Sequence, residues 1–98
     1  MDINDPRAFN ELTNEQRNVL LDWIDCFVII KTINTEHSSY ELKHFFENSK
    51  DGFYITNGQF KGAMNNYGYK HSQRIGTSND CYAISEHSIM LLKADQII

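Results

Sequence analysis

At 98 residues, with 41% hydrophobic and 22% charged side chains, the chain is long enough for one domain with a modest core and too short for two. Its formal charge of −4 excludes a histone-like polybasic binder, so any contact with nucleic acid has to be local. The longest apolar run, residues 26–30, is far short of the ~20 residues that cross a membrane, and the acidic, polar start carries no signal-peptide pattern, so a cytoplasmic protein away from membranes is expected.

In chain order, residues 1–12 are polar, carry the only proline and predict an irregular arm. Thr13 and Gln16 then have the spacing of a capping box, in which each side chain satisfies a free backbone N–H at a helix start. Leu20, Trp23, Ile24 and Phe27 follow at helical spacing, and Val19, Leu21, Val28, Ile29 and Ile30 widen the apolar stripe beyond one face. Such a helix is either central to the fold or partly covered by a partner; the β-branched run 28–30 leaves its end undefined. Ser38 with Glu41 opens a second helix to about Glu47, with Leu42, Phe45 and Phe46 as its core positions.

Gly52 ends the turn after that helix, and Phe53-Tyr54-Ile55 reads as a short extended piece that adds an edge to a later sheet. A third capping box, Thr56 with Gln59, starts a helix whose core residues Phe60, Ala63, Met64 and Tyr67 recur at i, i+3, i+4 and i+7. Gly68 closes it. Two strands follow around the turn-forming residues 76–80. In the first, Tyr69, His71, Gln73 and Ile75 alternate with Lys70, Ser72 and Arg74; the second covers residues 81–85. Residues 86–98 carry a weaker amphipathic pattern through Ile89, Met90 and Leu92. The expectation is an α+β fold of winged helix-turn-helix type: three helices plus a β-hairpin wing, with room for a short C-terminal helix. The arm spans 1–12 and the winged-helix domain 13–98.

Chemistry at a catalytic centre finds little support. The four histidines, His37, His44, His71 and His87, and the two cysteines, Cys26 and Cys81, show no metal-ligand spacing, and there is no phosphate-binding glycine loop. No enzyme, metal or cofactor is expected, and the cysteines read as buried free thiols.

Binding is better supported. Between residues 52 and 79 there is no Asp or Glu. If Phe60, Ala63, Met64 and Tyr67 face the core, the third helix exposes Asn57, Gln59, Lys61, Asn65 and Asn66, which donate hydrogen bonds to phosphates and base edges without adding negative charge. Lys70, His71 and Arg74 are expected to continue that surface, with Tyr69 or Tyr54 as a stacking face for an unpaired base. The only permanent cations there are Lys61, Lys70 and Arg74, which favours single strands over duplex. The acidic residues of the first 25 positions, Asp2, Asp5, Glu11, Glu15, Asp22 and Asp25, should repel phosphate, and Trp23, Phe27 and Ile30 are the expected partner or dimer face.

The stretch "SSYELKHFFENSKDGFYITNGQFKGAMNNYGYKHSQRIGTSNDCYAIS", residues 38–85, resembles the winged-helix pattern appended to primase-helicases of phages and mobile elements. It is also similar to small proteins encoded beside polymerase and helicase genes in staphylococcal cassette chromosome elements. The shared features are a helix, a short extended piece, a Thr- or Ser-capped helix ending in Gly-Tyr or Gly-Phe, and a hairpin. The resemblance implies an accessory protein of mobile-element replication that binds DNA, single-stranded and with little sequence preference, alongside a polymerase or helicase of the same element. Gln59, Lys61, Lys70 and Arg74 match its polar and basic sites; the chain departs from it in having few basic residues. The alternative is a winged-helix adaptor between proteins, including a phage-type inhibitor of a host nucleic-acid enzyme.

Overall fold

The protein is described by a computed structural model covering residues 2–94. Its helices begin where their caps place them. Thr13 accepts from the Gln16 N–H while Gln16 returns the bond, and helix α1 runs Asn14–Ile24. Ser38 accepts from the Glu41 N–H to open α2, Ser39–Glu47, although Glu41 turns its carboxylate to His37 instead of closing a reciprocal box. Thr56 and Gln59 make a complete box at the start of α3, Asn57–Tyr67, and Gly68 ends it at φ 101°, the left-handed region that glycine enters without a Cβ penalty. Helix α4, Glu86–Ala94, buries Ile89 and Leu92 but exposes Met90.

Strands β1 (Ile29–Asn34), β2 (His71–Gln73) and β3 (Asp80–Ile84) form one antiparallel sheet in the order β1-β3-β2. Two expectations are corrected here. Helix α1 stops at Ile24, and residues 28–30 leave it to enter β1, where β-branched side chains suit the pleat. The sheet's third strand is therefore β1. Residues 53–55 are extended but unpaired in the sheet; Ile55 is buried and its N–H donates to the Glu47 carboxylate. β1 meets β3 as Ile29 opposite Ile84 and Asn34 opposite Tyr82, with an irregularity between them.

The core lies between the helices and one face of the sheet. Leu20, Ile24, Leu42, Phe46, Ile55, Phe60, Met64, Tyr82, Ile84 and Ile89 are all at most 1% exposed. Trp23 sits half-buried at its edge, edge-on to Phe27 and to Phe46 with ring centroids 5.5 Å apart in each pair, a geometry that aromatic quadrupoles favour.

The arm is the third correction. Pro6–Glu11 form a 3-10 helix capped by Asp5, and Ala8, Phe9 and Leu12 are buried. This helix lies along the side of α3, and two glycines make that approach possible. A Cβ on Gly58 would stand 2.3 Å from the Asp5 carbonyl oxygen, and one on Gly62 would stand 2.2 Å from that of Pro6. The Gly58 N–H, one of the free donors of the α3 N-terminus, donates to the Ile3 carbonyl at 2.7 Å. Residues 2–12 are thus built into the domain.

Candidate nucleic-acid interface

The arm, α2 and the hairpin loop pack around the first turns of α3, and several residues expected on its surface are inside. Asn57 is 4% exposed. Its amide nitrogen donates to the side chains of Asn4 at 2.9 Å and Asn79 at 3.0 Å, and its oxygen accepts from the Ser39 hydroxyl at 2.9 Å. It joins the arm, α2 and the hairpin loop, and both of its amide donors are used within the fold. Lys61 is 8% exposed, and its ammonium donates to the Ser78 carbonyl at 2.7 Å, tying α3 to the same loop. Gln59 is half-buried, with its oxygen accepting the Thr56 N–H. Only Asn65 and Asn66, in the last turn, are exposed as expected.

Tyr69 is not a stacking face. It is buried, stacks on Tyr67 at 4.8 Å between centroids, and donates its hydroxyl to the Ile24 carbonyl at 2.6 Å. Burial, with Asp25 adding to it, pushes its pKa up to about 12. Tyr54 is exposed, and so is Tyr67 at the end of α3, which was expected to face the core.

Strand β2 keeps its polar residues outside, but they divide between two faces. Register sets Ser72 opposite Cys81, while His71 and Gln73 face Tyr82 and Asp80. Since side chains alternate across a strand, His71 lies on the core side with Tyr82. There its Nδ1 is 3.3 Å from the Asp80 carboxylate, so it does not extend the lysine and arginine surface as expected. Lys70 and Ser72 share the outer face with Cys81 and Ala83. Arg74 reaches across that face, and its guanidinium donates to the Thr35 carbonyl at the end of β1. Lys70 and Arg74 are exposed, and neither is in an ion pair among the described residues. A trough of about 350 Å³ lies on this face, with Cys81, Ile33, Thr35 and Ser72 among its lining residues. The sequence carried its signal: the alternation of Lys70, Ser72 and Arg74 against His71 and Gln73 already separates the two faces.

The expected partner residues also divide. Phe27 is 4% exposed and belongs to the core, because α1 ends before it and the chain turns inward. Ile30 lies on edge strand β1, exposed with Val28 and Ile29. Trp23 opens onto a groove of about 500 Å³ walled by Val19, Phe46 and Leu92, with Asp22 and Asp51 among its lining residues.

A further set of titratable residues joins α2 to α4. His37 bridges Glu41 and Glu86, the latter at 2.8 Å, and Asn34 donates to Glu86 at 3.1 Å. Burial opposes protonation of His37, but the Glu86 and Glu41 carboxylates outweigh it and raise its pKa; the His37 hydrogen bond and that of Asn34 lower that of Glu86. The two carboxylates lie on opposite nitrogens of the ring, so the three do not converge on one point. Among the described residues no group of three His, Cys, Asp or Glu could hold a metal ion, and no helix is long and apolar enough to cross a membrane.

Compared with models of known protein families, with curated proteins and with solved structures, the chain finds no match.

Proposed function

We propose that the protein is a winged-helix domain that binds single-stranded nucleic acid, DNA above all, weakly and through its hairpin instead of its third helix. Three helices precede a hairpin, and the strand between the first two pairs with the hairpin in the order β1-β3-β2; this is what supports the winged-helix reading. The observation that carries the binding reading is the placement of Lys70 and Arg74, exposed on the carboxylate-free outer face of that hairpin.

Two cations attract a phosphate backbone but supply little affinity alone. Contacts to unstacked bases add to this, up to about 1–3 kcal/mol where a base stacks on an aromatic ring, and only single strands offer those faces. Weak, sequence-tolerant binding to single strands follows. A part in the replication of a mobile element, beside its polymerase or helicase, rests on the sequence resemblance alone. The test is a binding panel at low salt with labelled single-stranded DNA, matched duplex and RNA. Binding strongest to the single-stranded DNA is expected; absence of binding to all three overturns the reading.

The second reading, an adaptor between proteins or an inhibitor of a host nucleic-acid enzyme, is favoured by a different observation: the Trp23 groove, an open cleft with an apolar wall between α1, α2 and α4. A solvent-exposed groove of this size is where an apolar anchor residue of a partner, or of a second copy, would seat. Sedimentation of wild type and Trp23→Ala checks it. Self-association lost in the variant favours this reading; a monomer at high concentration removes the dimer form of it.

A further inference from the structure

We infer that the trough on the outer face of the sheet is the seat for one unpaired base of a single strand, with Lys70 and Arg74 holding the phosphates beside it. The inference rests on the nucleic-acid reading above and gives it a place. All five residues of β3 are buried, including Cys81 at 3% and Ala83 at 1%, although register turns these two away from the core. They are small, so the middle of the outer face is a depression, while side chains of the two edge strands stand up around it. Ile33 of β1 walls one side, Ser72 of β2 and Arg74 just beyond it the other, and Ile75, 97% exposed, forms the lip at the hairpin turn. The depression therefore has an apolar floor for the face of a base and the Ser72 and Thr35 hydroxyls for its edge.

The charge of its lining is of one sign. No carboxylate lines the trough, and Lys70 and Arg74, both outward and four residues apart, stand roughly 13 Å from each other along the strand. Arg74 already spans the trough to the Thr35 carbonyl. An incoming phosphate offers that guanidinium a charged, bidentate acceptor in place of a neutral one, which is the stronger bond. A duplex gains nothing from this site, because its bases are stacked and only its backbone reaches the two cations. The ligand class is thus a flexible single-stranded polynucleotide, read by base shape and not by sequence.

The experiment uses a fluorescein-labelled oligothymidylate and follows anisotropy at low salt, with amide shifts mapped by NMR on the intact chain. Ser72→Leu fills the trough from an exposed strand position without offering an aromatic stacking face, and Arg74→Ala removes the strap; Arg17→Ala, on α1, removes one cation elsewhere. Each of the first two should weaken binding about ten-fold, Ser72→Leu by excluding the base and Arg74→Ala by the loss of one phosphate contact at low salt, while Arg17→Ala stays within about two-fold. Shifts should gather at residues 33–35, 70–75 and 81–83. Should wild type bind while Ser72→Leu binds equally well, or should the shifts gather at Asn65 and Asn66, the trough is not the seat, although the binding reading survives. Should wild type bind no nucleic acid at all, both fall together. Melting curves and the NMR spectrum of Ser72→Leu report its fold; if it is lost, Arg74→Ala alone decides.

Discussion

Helix α3 and strand β2 come from the same acid-free stretch and carry the same kinds of side chain, yet the fold uses them in opposite ways. The polar residues of the first turns of α3 are spent inside the protein: Asn57 knots three segments together, and Lys61 holds the hairpin loop. Those of β2 remain outside, and Lys70 and Arg74 at its two ends face solvent. The difference teaches that a carboxylate-free surface in sequence is a statement about composition, while availability depends on what packs over it. Here the arm, with its 3-10 helix admitted by two glycines at i and i+4, closes the first turns of the helix together with α2 and the hairpin loop, and leaves the strand open.

Mutations can break that contrast, and the largest effect should come from α3. Phe60, 0% exposed, anchors the helix in the core; Phe60→Ala should cost about 3–5 kcal/mol in a denaturant titration. A smaller loss there would mean that the helix faces another way.

Next are the residues that join α3 to its cover. Gly62→Ala gains helix propensity, up to ~1 kcal/mol, but puts a methyl 2.2 Å from the Pro6 carbonyl. Forcing that fit costs about 1–3 kcal/mol, so a net destabilisation is expected, and a more stable variant would contradict the docked arm. Lys61→Ala should behave alike, lowering stability by about 1–3 kcal/mol because the Ser78 carbonyl loses a charged donor. In contrast, Arg74→Ala should stay within ~0.5 kcal/mol, as exposed substitutions usually do, while it weakens binding. Measured side by side, the two cations separate a structural lysine from a functional arginine.

The smallest effect is on pH dependence. The His37 clasp joins the start of α2 to α4, away from both regions. The pKa of His37 is raised above its ordinary 6.5 in the fold, so its contribution is fully present below about 6.5 and is lost as pH rises through the raised value. Glu86 is lowered from 4.5, and its share is present above about 4.5 and lost as pH falls through its lowered value. Thermal melts should therefore show a modest decline from pH 6 towards pH 8 that His37→Gln abolishes. An unchanged pH profile in that variant would show that the clasp carries no protonation-linked stability.

Much of this was legible before the fold was known, for identifiable reasons. Capping boxes depend on two side chains at fixed spacing, so Thr13, Ser38 and Thr56 mark three helix starts, and Gly68 one end. The end of α1 was not legible because no glycine or proline separates Ile24 from Ile29; the apolar pattern runs from helix to strand, and only β-branching at Val28, Ile29 and Ile30 hints at the change. The cover over α3 was invisible to periodicity, since Pro6, Ala8 and Phe9 are too few to form a pattern. Gly58 and Gly62, one turn apart on one side of the helix, were the sign that a backbone comes close. For the hairpin, strand alternation places Lys70 and Arg74 on one face, but the burial of Tyr69 follows only from packing against Ile24 and Phe27.

The most direct measurement is the salt dependence of single-stranded DNA binding for wild type and Arg74→Ala. On single strands each neutralised phosphate contributes about −0.7 to the slope of log affinity against log salt. With Lys70 and Arg74 as the two cations in use, the wild-type slope should be about −1.4, and Arg74→Ala should reduce it to about −0.7. A slope that Arg74→Ala leaves unchanged, or one steeper than about −5, would place the charged contacts on another surface and contradict the account.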